Sequence, residues 1–235
     1  MPDVHTGYSL SIGAVVASKD TIFPSFVGYD VGCGMCALKL DDIDIDQAKE
    51  YSQEIFEEIY KKIPVGFNVN GKAISYSLDG LTEKGKEIAK SKKFDFALGS
   101  LGGGNHFIEV GHDERYNVWV VIHSGSRGVG HGIASHYMTL VSSDTVVLSI
   151  EFDDAHKDLL AHDPDKYEEH KQKWITKKVG VLRPKEVNYC FDVESQNGKD
   201  YIQYLKWVLD YALANRKDMM GSELRVKKLQ GGVKL

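Results

Sequence analysis

Residues 99–123 read GSLGGGNHFIEVGHDERYNVWVVIH, and this stretch decides the fold. Two short apolar segments, 106–110 (HFIEV) and 118–122 (VWVVI), flank the polar run HDERYN. Segments of this length, rich in β-branched and aromatic residues and split by a polar turn, predict an antiparallel hairpin. The glycines ahead of the first strand deny that segment a stable helix and leave bare backbone leading into the sheet. His106 opens the first strand and His123 closes the second, so both imidazoles fall at strand ends beside loops, where functional side chains concentrate.

Working outward, the other segments read mainly as helices. Ala48, Tyr51, Ile55, Ile59 and Ile63 recur at helical spacing, predicting a helix over 46–62 with Asp44 or Asp46 as its N-cap and Pro64 beyond its end. A more polar helix is expected from Thr82 to Lys92. Another starts near Gly130 and carries Ile133, Tyr137 and Leu140. The longest spans 199–220, with Tyr201, Leu205, Val208, Leu209, Ala212 and Leu213 on its apolar side. A strand built from Val27 and the residues before Pro24 is expected to lead into the glycine-rich run 28–34. Residues 151–170 hold eight acidic residues with His156, His162 and His170 among them, and 171–185 hold six Lys or Arg, which reads as solvated surface ahead of a metal-binding tract. With no internal repeat and no clear linker, the chain reads as one α+β domain over 1–235, with mixed or antiparallel β-sheets flanked by helices.

Composition narrows the class without naming it. The 235 residues are 42% hydrophobic and 27% charged, those of an ordinary globular protein. A net charge of −5 gives no global sign of nucleic-acid binding, although a local basic groove fits within such an average. No stretch reaches the roughly 20 apolar residues of a membrane span. The start MPDVHTGYSL lacks the pattern of a signal peptide, so a cytoplasmic protein with no membrane partner is expected. The three cysteines, Cys33, Cys36 and Cys190, are then expected as free thiols. Cys33 and Cys36 form a C-x-x-C that reads as a redox pair, half a zinc site, or two small residues in a strand.

Three glycine-rich segments carry the residues that do chemistry. In Gly28-Tyr29-Asp30-Val31-Gly32-Cys33-Gly34 a carboxylate and a thiol lie three residues apart on a tight loop, a metal-donor pair or else a buried turn with a structural cysteine. In Gly99-Ser100-Leu101-Gly102-Gly103-Gly104-Asn105-His106 the bare amides suit a phosphate, with Asn105 as a donor and His106 as a metal ligand, though a flexible loop with a surface histidine also explains it. In His123-Ser124-Gly125-Ser126-Arg127-Gly128 hydroxyls and a guanidinium suit an anion, against the alternative of a satisfied core histidine. Together they supply a thiol, a carboxylate, two imidazoles, a phosphate cradle and an arginine. That set points to metal-assisted phosphoryl transfer with a borderline ion such as manganese, zinc or cobalt.

Four motifs, MPDVHTG at 1–7, VGYDVGCGM at 27–35, GSLGGGNHFIEV at 99–110 and HSGSRGVG at 123–130, resemble the signatures of the RtcB family of tRNA-splicing RNA ligases in order and spacing. The segment from Tyr201 to Met220, with its Ala-Asn-Arg, is similar to a helix that follows them. The resemblance implies a ligase that joins RNA ends bearing a 2′,3′-cyclic phosphate or 3′-phosphate to 5′-hydroxyl ends, with GTP as co-substrate and two Mn2+ ions. It implies Asp30, Cys33 and His106 as ligands of one ion, with Cys33 bridging to a second that also takes His123. Asn105, His106, Phe107 and Glu109 would contact the nucleotide, and Arg127, Ser126 and His5 the RNA phosphate. The family's guanylylated histidine, in a Ser-His-Gly-Ala-Gly-Arg context, has no counterpart in this sequence. The expectation is therefore an incomplete RtcB-type fold, truncated at both ends, with no certain catalytic residue of its own. Its partners would be RNA, GTP and a separate C-terminal fragment or a second copy. Two other readings stay open: an inactive remnant that binds metal or RNA phosphate, and a metal-dependent phosphatase or cyclic phosphodiesterase.

Overall fold

The computed structural model of the chain describes residues 4–7, 9–156, 163–179 and 190–223. His162, the start of the first motif (residues 1–3) and part of the basic stretch (residues 180–185) lie outside the described residues. In chain order the elements are β1 (Thr21–Ile22), α1 (Pro24–Val27), β2 (Gly34–Leu40), α2 (Ile45–Glu50), α3 (Ser52–Lys62), α4 (Glu83–Ser91), α5 (Phe94–Ala97), β3 (Phe107–His112), β4 (Val118–Ser124), α6 (Arg127–Ala155), α7 (Pro164–Val179), β5 (Phe191–Asp192) and α8 (Gln196–Asp218), with a π-helical turn at Met219–Glu223. Helices and antiparallel sheets together make the fold α+β. Among the described residues, no helix is long and apolar enough to cross a membrane.

Contacts divide the chain into two compact units, Met1–Tyr29 with Ile133–Tyr204, and Asp30–Gly132 with Leu205–Leu235. In the first, β1 pairs antiparallel with β5, Ile22 opposite Phe191. Its centre is aromatic: the Tyr137 ring lies 5.0 Å from those of Tyr201 and Tyr204, and all three are buried. Of the expected strand before Gly28 only Thr21–Ile22 is extended, as β1, and Pro24–Val27 form a helical turn instead. Pro24 at the first helical position fixes φ for a helical turn, and Gly28, at φ 81°, ends it by returning its N–H to the Pro24 carbonyl.

The second unit is built on a three-stranded antiparallel sheet, ordered β2-β4-β3. The hairpin expected from 106–122 is β3 and β4, each a little longer than the apolar run that predicts it. Its turn is held by Asp113, whose carboxylate accepts from the Arg115 and Asn117 N–H groups, from Asn117 Nδ2 and from Trp119 Nε1 at 2.8–3.1 Å. Val118, Val120 and Ile122 alternate inward at 0–1% exposure and pack with Leu40, Ile63 and Leu101. Ile45, Ala48, Ile55 and Ile59 close over that face. The helix expected over 46–62 is broken at Tyr51 (φ −96°, ψ 17°) into α2 and α3. Asp44, not Asp46, is the N-cap, in a capping box with Gln47. α4 matches its expected span, with Thr82 as N-cap.

Within α8 the buried positions of the second unit are Trp207, Val208, Tyr211, Ala212, Asn215 and Arg216, followed by Met219. Leu209 and Leu213, expected on the apolar side, are 51% and 37% exposed. Tyr211 donates to the Phe94 carbonyl and Trp207 Nε1 to that of Ser77, so the aromatic residues have both apolar bodies and bonded polar tips.

Candidate metal centre

The loop between Tyr29 and β2 carries Asp30 and Cys33, the glycine run before β3 carries His106, and the end of β4 carries His123. The structure brings all four together within the second unit. Asp30, Cys33 and His106 each offer a donor atom within 4.8 Å of the other two. His106 Nε2 lies 2.9 Å from Asp30 Oδ2 and 3.8 Å from Cys33 Sγ, while His123 Nε2 lies 2.7 Å from that same sulfur. Metal–ligand bonds of about 2.0–2.3 Å place neighbouring donors roughly 3–4 Å apart, so the first three fit one ion. The sulfur is the atom common to both histidines, which suits a thiolate shared between two ions.

His106 supplies an independent argument for a cation. Its Nδ1 faces the Leu101 carbonyl at 3.0 Å and its Nε2 faces the Asp30 carboxylate at 2.9 Å. Both partners only accept, and a neutral imidazole has a single N–H. The Leu101 bond fixes the proton on Nδ1, the usual way a ligating histidine is oriented. A cation held between Nε2 and Asp30 would satisfy both groups. Electrostatics agree. Burial alone would raise the Asp30 carboxyl, but hydrogen bonds from His106 and Cys33 and the charge of the nearby imidazoles outweigh it and hold the carboxyl below its ordinary value. Burial and the adjacent Asp30 carboxylate push the Cys33 thiol up to about 12. Coordination by a divalent ion reverses that, because a coordinated thiol is deprotonated.

Glycines make room for this cluster. A Cβ on Gly125 would sit 2.2 Å from Asp30 Oδ1, and one on Gly102, at φ 99°, would meet Arg127 Nη1 and His106 Nδ1 at 2.2 and 2.6 Å. Cys36 stands apart: it pairs with Ile122 and shares that residue's core-facing side, whereas Met35, His123 and Phe107 form a row across the opposite face. Cys33, Cys36 and Cys190 are all free thiols.

The remaining candidates are distributed unevenly. Phe107 packs edge-on to His123 at 5.4 Å between centroids, and Glu109 lies two residues along on the same face, exposed. Asn105 is exposed on the glycine run. Arg127, a non-glycine residue at φ 58°, turns its guanidinium inward, donating to Ser100 Oγ at 2.9 Å and the Gly66 carbonyl at 2.6 Å. Ser126 is fully buried, and its hydroxyl has no hydrogen-bond partner among the described residues. His5 belongs to the first unit, where its backbone bridges to Ile12. Asn215 and Arg216, noted in the sequence only within an Ala-Asn-Arg run and given no role, are two polar residues buried on α8 at 0% and 8% exposure. The available signal was an amide and a guanidinium continuing the stripe marked by Val208, Tyr211 and Ala212.

An α+β scaffold that gathers a thiol, a carboxylate and two imidazoles from glycine-rich loops defines a candidate metal-dependent enzyme. The family model for "tRNA-splicing ligase RtcB" matches residues 1–97 and 82–229, and the chain belongs to that family. It is 34% identical to the RNA-splicing ligase RtcB of Escherichia coli (strain K12), an alignment covering 61% of this chain and 40% of that protein. It is 30% identical to the tRNA-splicing ligase RtcB of Nanoarchaeum equitans, over 60% of this chain and 40% of the relative. With the tRNA-splicing ligase RtcB of Thermococcus kodakarensis it shares 25% identity over 92% of this chain and 49% of the relative. The chain thus spans between 40% and 49% of the length of these relatives.

Proposed function

We propose that this chain carries the metal-binding part of an RNA ligase site, one that joins 2′,3′-cyclic phosphate or 3′-phosphate RNA ends to 5′-hydroxyl ends with GTP and Mn2+. Family membership, the relatives named as RNA-splicing and tRNA-splicing ligases, and the donor cluster support the reading. The observation that carries it is the meeting of Asp30, Cys33 and His106 within 4.8 Å, with His123 2.7 Å from the shared sulfur. Asp30, Cys33 and His106 would hold one ion, and Cys33 with His123 a second. Bound there, divalent ions supply Lewis-acid neutralisation of phosphate charge and orientation of the reacting oxygens. The protein's own part is to fix the donors. Leu101 sets the His106 tautomer, Gly125 leaves space for the carboxylate, and the exposed Phe107–Glu109 face beside His123 gives a nucleotide a ring edge and an acceptor. Arg127, held by Ser100 and Gly66, places positive charge beside the glycine run. The cytoplasm, where RNA and GTP are both present, is the setting proposed for this activity.

The test uses the protein as its gene encodes it, with GTP, MnCl2 and an RNA pair bearing a 2′,3′-cyclic phosphate and a 5′-hydroxyl. Ligated product that disappears in Cys33→Ala and His106→Ala supports the proposal. Release of phosphate from the RNA without GTP would replace it with phosphatase or cyclic phosphodiesterase activity. Metal and RNA binding with neither reaction would leave only the inactive-remnant reading.

A further inference from the structure

α8 ends in two buried polar residues whose side chains bond almost entirely to the backbones of the loops that carry the metal donors. Asn215 Oδ1 accepts from the Gly99 and Ser100 N–H groups at 2.7 and 3.1 Å. Its Nδ2 donates to the Ser100 and Gly125 carbonyls and to Ser124 Oγ at 3.1–3.2 Å. The amide therefore ties the root of the His106 loop to the segment just after His123. Ser124 Oγ passes the tie on, donating at 2.7 Å to the same Leu101 carbonyl that faces His106 Nδ1. Arg216 acts on the other pair. Its Nη1 donates at 2.7 Å both to the Gly32 carbonyl, adjacent to Cys33, and to the Ser124 carbonyl, adjacent to His123. A single nitrogen thus spans the two backbones whose side chains meet at the sulfur.

We propose that Asn215 and Arg216 are positioning residues of the metal centre, which set the Cys33–His123 and His106–His123 spacings through the loop backbones. Burying an amide and a guanidinium is costly, and Arg216 Nε has no hydrogen-bond partner among the described residues, so an apolar helix face would serve packing alone at least as well. What an apolar face cannot do is hold three separate loops in register at their carbonyls and amides. The inference rests on the reading of the cluster as a metal site.

Cobalt(II) is the probe, because a cobalt–thiolate bond gives a near-ultraviolet charge-transfer band and the ligand-field bands report geometry. The wild-type protein is expected to bind Co2+ with that band. Arg216→Met and Asn215→Asp, which keep volume but remove donors, are expected to bind 10–100-fold more weakly, the range for lost outer-shell partners. Even at saturating Co2+ their band should be weaker or shifted, which a purely structural role would not produce. Arg216→Lys, retaining charge and a donor, should fall between. A wild-type affinity and spectrum in folded Arg216→Met or Asn215→Asp would overturn the inference. If Arg216→Met fails to fold, a wild-type spectrum in Arg216→Lys together with Asn215→Asp overturns it equally. Absence of the thiolate band in the wild-type protein would instead refute the metal reading beneath it.

Discussion

Gly125→Ala is the sharpest perturbation the site offers, because it alters no ligand and no strained backbone. The added Cβ would stand 2.2 Å from Asp30 Oδ1 and 3.0 Å from Cγ. Contact between carbon and oxygen needs somewhat over 3 Å, so the carboxylate must retreat by about 1 Å or swing away. Its side chain is 45% exposed and has solvent to move into, so the fold should tolerate the change with a small loss of stability. The metal centre should not. A donor displaced by about 1 Å leaves bonding range, and we expect at least the 10–100-fold loss of affinity typical of outer-shell changes, about 1.4–2.7 kcal/mol. Gly103→Ala is the control, since a Cβ there meets only the Gly66 Cα at an ordinary 3.7 Å. Isothermal titration with Mn2+, alongside thermal melts without metal, separates affinity from folding. Equal Mn2+ affinity for Gly125→Ala and Gly103→Ala would refute the assignment of Asp30 as a ligand.

Further outcomes follow from the same geometry. With the Cys33 thiol pushed up to about 12 by burial and Asp30, it is protonated at neutral pH before metal arrives. Metal uptake must then release at least one proton and tighten as pH rises, visible as a buffer-dependent calorimetric heat; a heat independent of buffer ionisation would contradict it. Zn2+ should displace Mn2+ from this sulfur- and nitrogen-containing donor set and inhibit any Mn2+-dependent activity, as competition titrations would show. Asp113→Asn should lower the melting temperature at pH 7. The Asp113 carboxyl is held below its ordinary value by Asn117 and Trp119, so its contribution is present above about pH 3.9 and lost as pH falls further. The gap to wild type should therefore narrow in acid; a pH-independent gap would count against this electrostatic origin.

The hairpin, the polar helix after Thr82 and the meeting of three glycine-rich loops were legible because each has a local signature: period-two apolar residues around a polar turn, a capping threonine, and donors set among glycines. The break at Tyr51 was not, because the heptad-like run of Ala48, Ile55 and Ile59 continues through it and only the backbone turn interrupts the helix. Val27 reads from the sequence as part of a strand leading into the glycine run, yet proline at the first position favours a helix start. Ser126 is buried beside Arg127 at the start of α6, a burial that its polar neighbours in the sequence do not signal. The role of Asn215 and Arg216 is not legible in the sequence because their partners are 90 or more residues away in the chain, and hydrogen bonds to main-chain atoms leave no trace in side-chain spacing.

If the cluster is a metal centre, Cys33 ligates the ion alongside imidazole and carboxylate. X-ray absorption at the metal edge of the Mn2+-loaded protein addresses it directly. A sulfur shell at about 2.3–2.5 Å that vanishes in Cys33→Ala, with nitrogen and oxygen scattering retained, is the predicted result. A first shell of oxygen and nitrogen alone, unchanged by Cys33→Ala, would contradict the account.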